Sequence, residues 1–203
     1  RMLDYKKFAD FSPTDYADGL RRDRFMDHTI GALWPNMTRI SGSAYTVEVP
    51  AGDSLMMHAA IYDAPAGAII VVQTNGSDVA VAGGNVCAIA QKHGVLGFII
   101  DGLIRDIVEI RELQFPVYAK GIIPKPSDKK YVGPVNPTVV CGGVVINTGD
   151  VIVADEEGIA VIPLLEAEQL YIIARHRAKA DLETNLNEWE ATHHAKVRQL
   201  LLK

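Results

Sequence analysis

The stretch from Ala68 to Lys120 does most to set the fold class. Three apolar runs, Ala68–Val72, Val95–Ile100 and Pro116–Lys120, are separated by two segments of helical character, Val86–His93 and Arg105–Leu113. Runs lacking polar alternation suit strands buried on both faces. Gly83-Gly84-Asn85 opens the first helical segment, Gly94 stops it, and Asp101-Gly102 turns the chain after the second strand. Strand–helix–strand–helix–strand in this order is a crossover unit of an α/β protein.

The flanks add to this plan. Thr14–Asp18 predicts a short capped helix, and the alternating, β-branched stretch Thr38–Val49 predicts a strand. Asp53 is placed to cap a helix over Ser54–Tyr62, and Asn75-Gly76 turns into a short strand over Val79–Ala82. The proline-rich Pro124–Pro137 predicts a structured excursion. Thr138–Cys141, Gly143–Asn147, Val151–Ala154 and Ile159–Ile162 then predict an antiparallel meander. Leu164–Lys203 predicts one long helical region. The expected organisation is a single α/β core over residues 1–163 and a C-terminal helical arm over 164–203. That arm is too long to lie wholly on a domain of this size, so it is expected to pack on a neighbouring subunit.

Composition narrows the function classes. The net charge is −5 with lysines and arginines scattered, so the basic face that nucleic-acid binding uses to displace counterions is absent. The longest apolar runs fall short of a membrane span, and the first residues do not resemble a secretory leader, so a cytoplasmic protein without a membrane partner is expected. Two cysteines, Cys87 and Cys141, are too few for a disulfide framework, and Cys87 among apolar neighbours reads as a small buried residue. His58, beside Met56, Met57 and Ala59, reads as a core-edge histidine, and His93 as a helix C-terminal residue.

The segment Gly83–Asp106 can carry chemistry. Glycines at a helix start allow close approach to first-turn N–H groups that have no intrahelical partner, which is an anion site or simply turn chemistry. Arg105 and Asp106 follow a strand end, where α/β proteins place ligands. They read either as a cap with its salt-bridge partner, or as a bidentate carboxylate anchor beside a hard-cation ligand. Two successive strand–helix crossings of one sheet would turn both features into one crevice.

GGNVCAIAQKHGVLGFIIDGLIRD, with PAGDSLMMHAAIYDAPAGAIIVV and VNPTVVCGGVVINTGDVIVADEEGIAVIP, resembles the family joining the regulator of ribonuclease E activity A with the class II 4-hydroxy-4-methyl-2-oxoglutarate aldolases. The resemblance runs from about Thr14 to about Ala180. It implies a layered α/β/β sandwich of the swivelling type, assembled as a homo-trimer or homo-hexamer with sites between subunits. It also implies that Arg105 holds a 2-oxo-acid carboxylate, that Asp106 ligates Mg²⁺ or Mn²⁺, and that Gly83, Gly84, Asn85 and Val86 bind substrate. A neighbour's acid completes the family's aldolase site; Asp181 and Glu183 are the acids in the corresponding region here.

Gly84 departs from the family pattern. The aldolases carry an acid at this position, which organises metal-bound water for deprotonating the C4 hydroxyl. The expected activity is thus a metal-dependent lyase on small 2-oxo acids, aldolase-like, with oxaloacetate decarboxylation least affected by the missing acid. A non-catalytic protein–protein regulator of an RNA-degrading enzyme is the alternative, although the regulator carries tyrosine where Asp101 stands.

Overall fold

A computed structural model describes residues 2–203. In chain order the elements begin β1 (Gly31–Ala32), β2 (Ile40–Glu48), α1 (Leu55–Asp63), β3 (Ala68–Gln73), α2 (Gly84–Lys92), β4 (Gly97–Ile100), β5 (Leu103–Ile104) and α3 (Ile107–Leu113). They continue β6 (Val117–Ala119), β7 (Gly121–Ile122), β8 (Val139–Cys141), β9 (Val144–Ile146), β10 (Val151–Asp155), β11 (Gly158–Ile162), α4 (Ala167–Glu183) and α5 (Leu186–Leu201). Ser12 and Asp15 form a capping box on a 3₁₀ turn at Pro13–Tyr16, where a short helix over Thr14–Asp18 was expected.

A seven-stranded mixed sheet in the order β1-β6-β4-β3-β2-β10-β11 forms the centre, a layered α/β architecture as expected. Strands β2, β3, β4 and β6 are parallel, and α1, α2 and α3 are the crossovers between them. Each crossover steps the same way across the sheet, so right-handed connections put all three helices on one face. β3 and β4 are buried almost end to end, which accounts for their unbroken apolar sequences. β10 and β11 add antiparallel strands beyond β2, and β1 pairs antiparallel with β6. The sheet curls until its edges approach, with Phe25 bridging Ala160 of β11.

Three expectations are corrected. The segment Val79–Ala82 forms no ladder; Ala80 makes only isolated bridges to Leu103 and Pro126, because it lies over the site-bearing turns rather than in the sheet. The meander is two separate hairpins: β8 pairs with β9 in a small sheet of its own, while β10 pairs with β2 and β11. The turn at Asn147–Asp150 redirects the chain into the main sheet, where Val151 and Val153 are fully buried. Finally, the long helical region breaks at Thr184-Asn185, where Asn185 and Glu188 form a capping box that starts α5 anew.

The first part of that region, α4, buries Ala167, Leu170 and Ala174 against Phe8, Tyr16, Val151 and Ile162. By contrast α5 buries no residue, and Leu186, Trp189, Leu200 and Leu201 are exposed along it.

Candidate active site

The carboxyl ends of β2, β3 and β4 lie side by side, and the chain leaving each one contributes to a single cleft of about 320 Å³. Open parallel sheets place ligands at such strand ends. The exit from β4 is fixed by Asp101, whose Oδ1 accepts from the Thr74 amide at 2.6 Å and the Thr74 hydroxyl at 2.8 Å, tying the ends of β3 and β4 together. Gly102 is required there, since a Cβ would lie 2.8 Å from Thr74 Oγ1 and 2.9 Å from Thr74 Cγ2. Asp101 is thus engaged in holding the strand ends and does not line the cleft.

Helix α2 starts at Gly84, two residues earlier than the sequence pattern indicates, with Gly83 as N-cap. Arg105 lies outside α3, and Asp106 is the N-cap residue at φ 65°, ψ 39°. A left-handed conformation is unusual for a residue with a side chain, and aspartate is among the few that tolerate it. The cap reading of Asp106 fails: its carboxylate makes no capping bond and instead accepts the Gly84 N–H at 2.9 Å. The Arg105–Asp106 pair is loose, at 3.9 Å between half-exposed side chains, so Arg105 is not engaged as a salt-bridge partner.

A side chain at either glycine would crowd a carboxylate of the site. A Cβ on Gly83 would overlap the Asp106 carboxylate, and one on Gly84 would overlap Glu109 Oε2. The carboxylate of Glu109, in the first turn of α3, lies against the space that a side chain at position 84 would enter. Since Asp106 already takes the Gly84 amide, Asn85 and Val86 carry the first-turn amides left without a bond among the described residues. Cys87 is buried beneath the site; burial first, then the charge of Asp106, pushes its thiol up and keeps it protonated.

The opposite wall was not legible in the sequence. His58, on α1, lines the cleft together with Ser127 and Lys129 of the proline-rich excursion. Asp53 locks that wall: its carboxylate accepts from the amides of Leu55 at 2.9 Å, Lys130 at 2.8 Å and Tyr131 at 3.2 Å. Ser54 adds a backbone bond to Asp128 and a 2.6 Å hydroxyl contact with Ser127. Burial, then the cation of Lys129, lowers the His58 pKa from 6.5; the Val81 carbonyl opposes this and Arg105 adds to it. His58, expected at the core edge, is half-buried there and also lines the cleft. Asp181 and Glu183 are exposed on α4, facing Arg177 and Lys179.

A family model described as RraA-like, Aldolase/RraA, matches residues 14–161. A Halalkalibacterium halodurans protein, provisionally named 4-hydroxy-4-methyl-2-oxoglutarate aldolase, is 37% identical over 169 residues, covering 83% of this chain and 79% of its own. A Burkholderia multivorans protein of the same provisional name is 32% identical over 158 residues, covering 74% of this chain and 95% of its own. Among solved structures, the RNA-processing inhibitor RraA from Thermus thermophilus superposes with a TM-score of 0.68 at 26% identity, covering 74% of this chain and 92% of its own.

Proposed function

This chain belongs to the RraA-like, Aldolase/RraA family, and on that basis we propose that it is a divalent-metal-dependent carbon–carbon lyase acting on small 2-oxo acids. The carrying observation is the Asp106 carboxylate, turned away from its own helix into the cleft beside a guanidinium that has no tight partner. The residues fit the implied cation. No group of three or more His, Cys, Asp or Glu suited to a metal exists among the described residues. Mg²⁺ needs no such cage, because it retains waters and takes one or two carboxylates. Asp106, with Glu109 beside it, would hold Mg²⁺ or Mn²⁺, which when bound supplies Lewis acidity toward the C2 carbonyl.

Arg105 presents a planar fork to the substrate carboxylate, and the Asn85 and Val86 amides donate from the start of α2. The Gly84 amide instead orients Asp106. Lys129 adds positive charge on the far wall. We place the working unit as a homo-trimer or homo-hexamer, with α5 and its exposed apolar residues packed on a neighbour.

The deciding assay follows pyruvate release from oxaloacetate and from 4-hydroxy-4-methyl-2-oxoglutarate, with chelated and Mg²⁺- or Mn²⁺-reloaded protein. The proposal requires turnover that chelation abolishes and metal restores. Because Lys129 lines the cleft, borohydride treatment with pyruvate is run alongside; inactivation there would show a covalent lysine route and refute the metal-dependent one. The second reading, a non-catalytic protein–protein regulator, is favoured by the unburied apolar residues of α5 and by the inhibitor among the structural relatives. It predicts no turnover under any metal condition.

A further inference from the structure

We infer that His58 is the proton-transfer group of this cleft, taking the C4 hydroxyl proton during carbon–carbon cleavage and delivering it to C3 of the departing enolate. The inference rests on the lyase reading above and adds the base that Gly84 leaves unsupplied.

The position is built rather than incidental. Three exits from adjacent parallel strands meet at the cleft, and His58 is the titratable residue contributed by the first, half-buried on α1. The Asp53 network fixes the start of α1 and residues 127–131 as one wall, which holds the helix that carries His58 at the cleft. The charged groups around it are Lys129 from the excursion and Arg105 from the turn before α3, with Asp106 and Glu109 also lining the cleft. Burial, with those two cations, keeps the ring neutral at pH 7, which leaves one ring nitrogen as a proton acceptor.

The other cleft groups suit this task less. Asp106 already accepts the Gly84 amide, Glu109 sits exposed against Gly84 at the cleft margin, and Lys129 as a cation has no lone pair to offer.

The step balances. His58 accepts the hydroxyl proton, the O–H electron pair becomes the new C4 carbonyl bond, and the C3–C4 bond breaks. Its electron pair passes through C3–C2 to the C2 oxygen, giving the enolate of the 2-oxo acid. The imidazolium then protonates C3, forming the pyruvate methyl group and restoring neutral His58. Decarboxylation of oxaloacetate has no hydroxyl to deprotonate: the C3–C4 electron pair passes to the C2 oxygen as carbon dioxide leaves, and C3 of the enolate takes its proton from water, so the step needs no base.

The test uses the full chain with His58→Asn and His58→Ala, measuring kcat/KM for both substrates from pH 5 to 9. Aldol cleavage relative to decarboxylation should fall about 10²-fold, within the usual range for general acid–base catalysis. Wild-type cleavage should rise with pH through a midpoint below 6.5, the ordinary histidine value, and the variants should lose that limb. Added imidazole should partly restore cleavage by His58→Ala, a rescue that a purely structural role would not give. Retained cleavage within threefold, a retained acidic limb, or cleavage lost without imidazole rescue overturns the inference. So does a wild-type protein that decarboxylates oxaloacetate but does not cleave the aldol, and in that case the lyase reading stands. Neither activity in the wild type overturns the lyase reading itself, and this role with it.

Discussion

Asp106 separates a structural role from a chemical one by a graded series. Its backbone is left-handed at φ 65°, which disfavours an ordinary side chain by roughly 1–2 kcal/mol but is tolerated by aspartate and asparagine. Its carboxylate accepts the Gly84 amide at 2.9 Å. At a half-exposed site solvent screening brings that charge-assisted bond to about 1 kcal/mol, below the range of buried ones. Asp106→Ala loses the bond and incurs the backbone strain, about 2–3 kcal/mol in all. For a domain of this size that lowers Tm by roughly 4–12 °C. Asp106→Asn stays at ease in the left-handed region and still offers an oxygen to Gly84, so Tm should fall by no more than about 3 °C. Both variants should lose metal-dependent turnover, because a methyl group is no ligand and a neutral amide a poor one for a hard dication. Thermal melts, calorimetric Mg²⁺ titration and the pyruvate assay measure the three effects. If Asn destabilises as much as Ala, or keeps wild-type turnover across a metal titration, the reasoning is wrong.

Arg105→Lys keeps the charge but loses the planar fork, so kcat/KM should fall about 10²-fold, equivalent to about 2.7 kcal/mol; a change under about threefold would make Arg105 only a surface ion. Gly84→Ala displaces the flexible end of Glu109, whereas Gly83→Ala strikes the short, tethered Asp106 carboxylate. Gly83→Ala should therefore weaken Mg²⁺ binding by about tenfold more than Gly84→Ala in parallel titrations, and equal effects would show that the crowding at Gly83 does not govern the ligand. Asp53 is nearly buried, which tends to raise its pKa, but the amides of Leu55, Lys130 and Tyr131 outweigh this and hold it below 3.8. A depressed folded pKa stabilises the protein above the unfolded value and stops doing so as pH falls through the folded one. The Tm deficit of Asp53→Asn should thus be full at pH 7 and shrink below pH 3.8; a deficit constant with pH would assign it to packing instead.

The sequence by itself determined the crossover core and the first half of the site. Ala68–Val72 and Val95–Ile100 can be unbroken apolar runs only because both faces of a parallel strand are covered, so their burial shows in composition alone. Gly83-Gly84 and Arg105-Asp106 each sit at a strand-to-helix exit of the same unit, and the crossover rule suffices to bring them together. What the sequence left open at Asp106, cap or cleft ligand, turns on where one carboxylate points, and that is set by the Gly84 amide across the gap. Hairpin pairing was equally hidden: β8, β9 and β10 have similar local patterns, and only burial against β2 decides which joins the main sheet. His58 and Lys129 lie far apart in the chain, and no short-range pattern links them. The tertiary structure joins them through strand order, which places the exit of β2 beside those of β3 and β4, and through the buried Asp53, whose carboxylate had to find amides from residues 130 and 131.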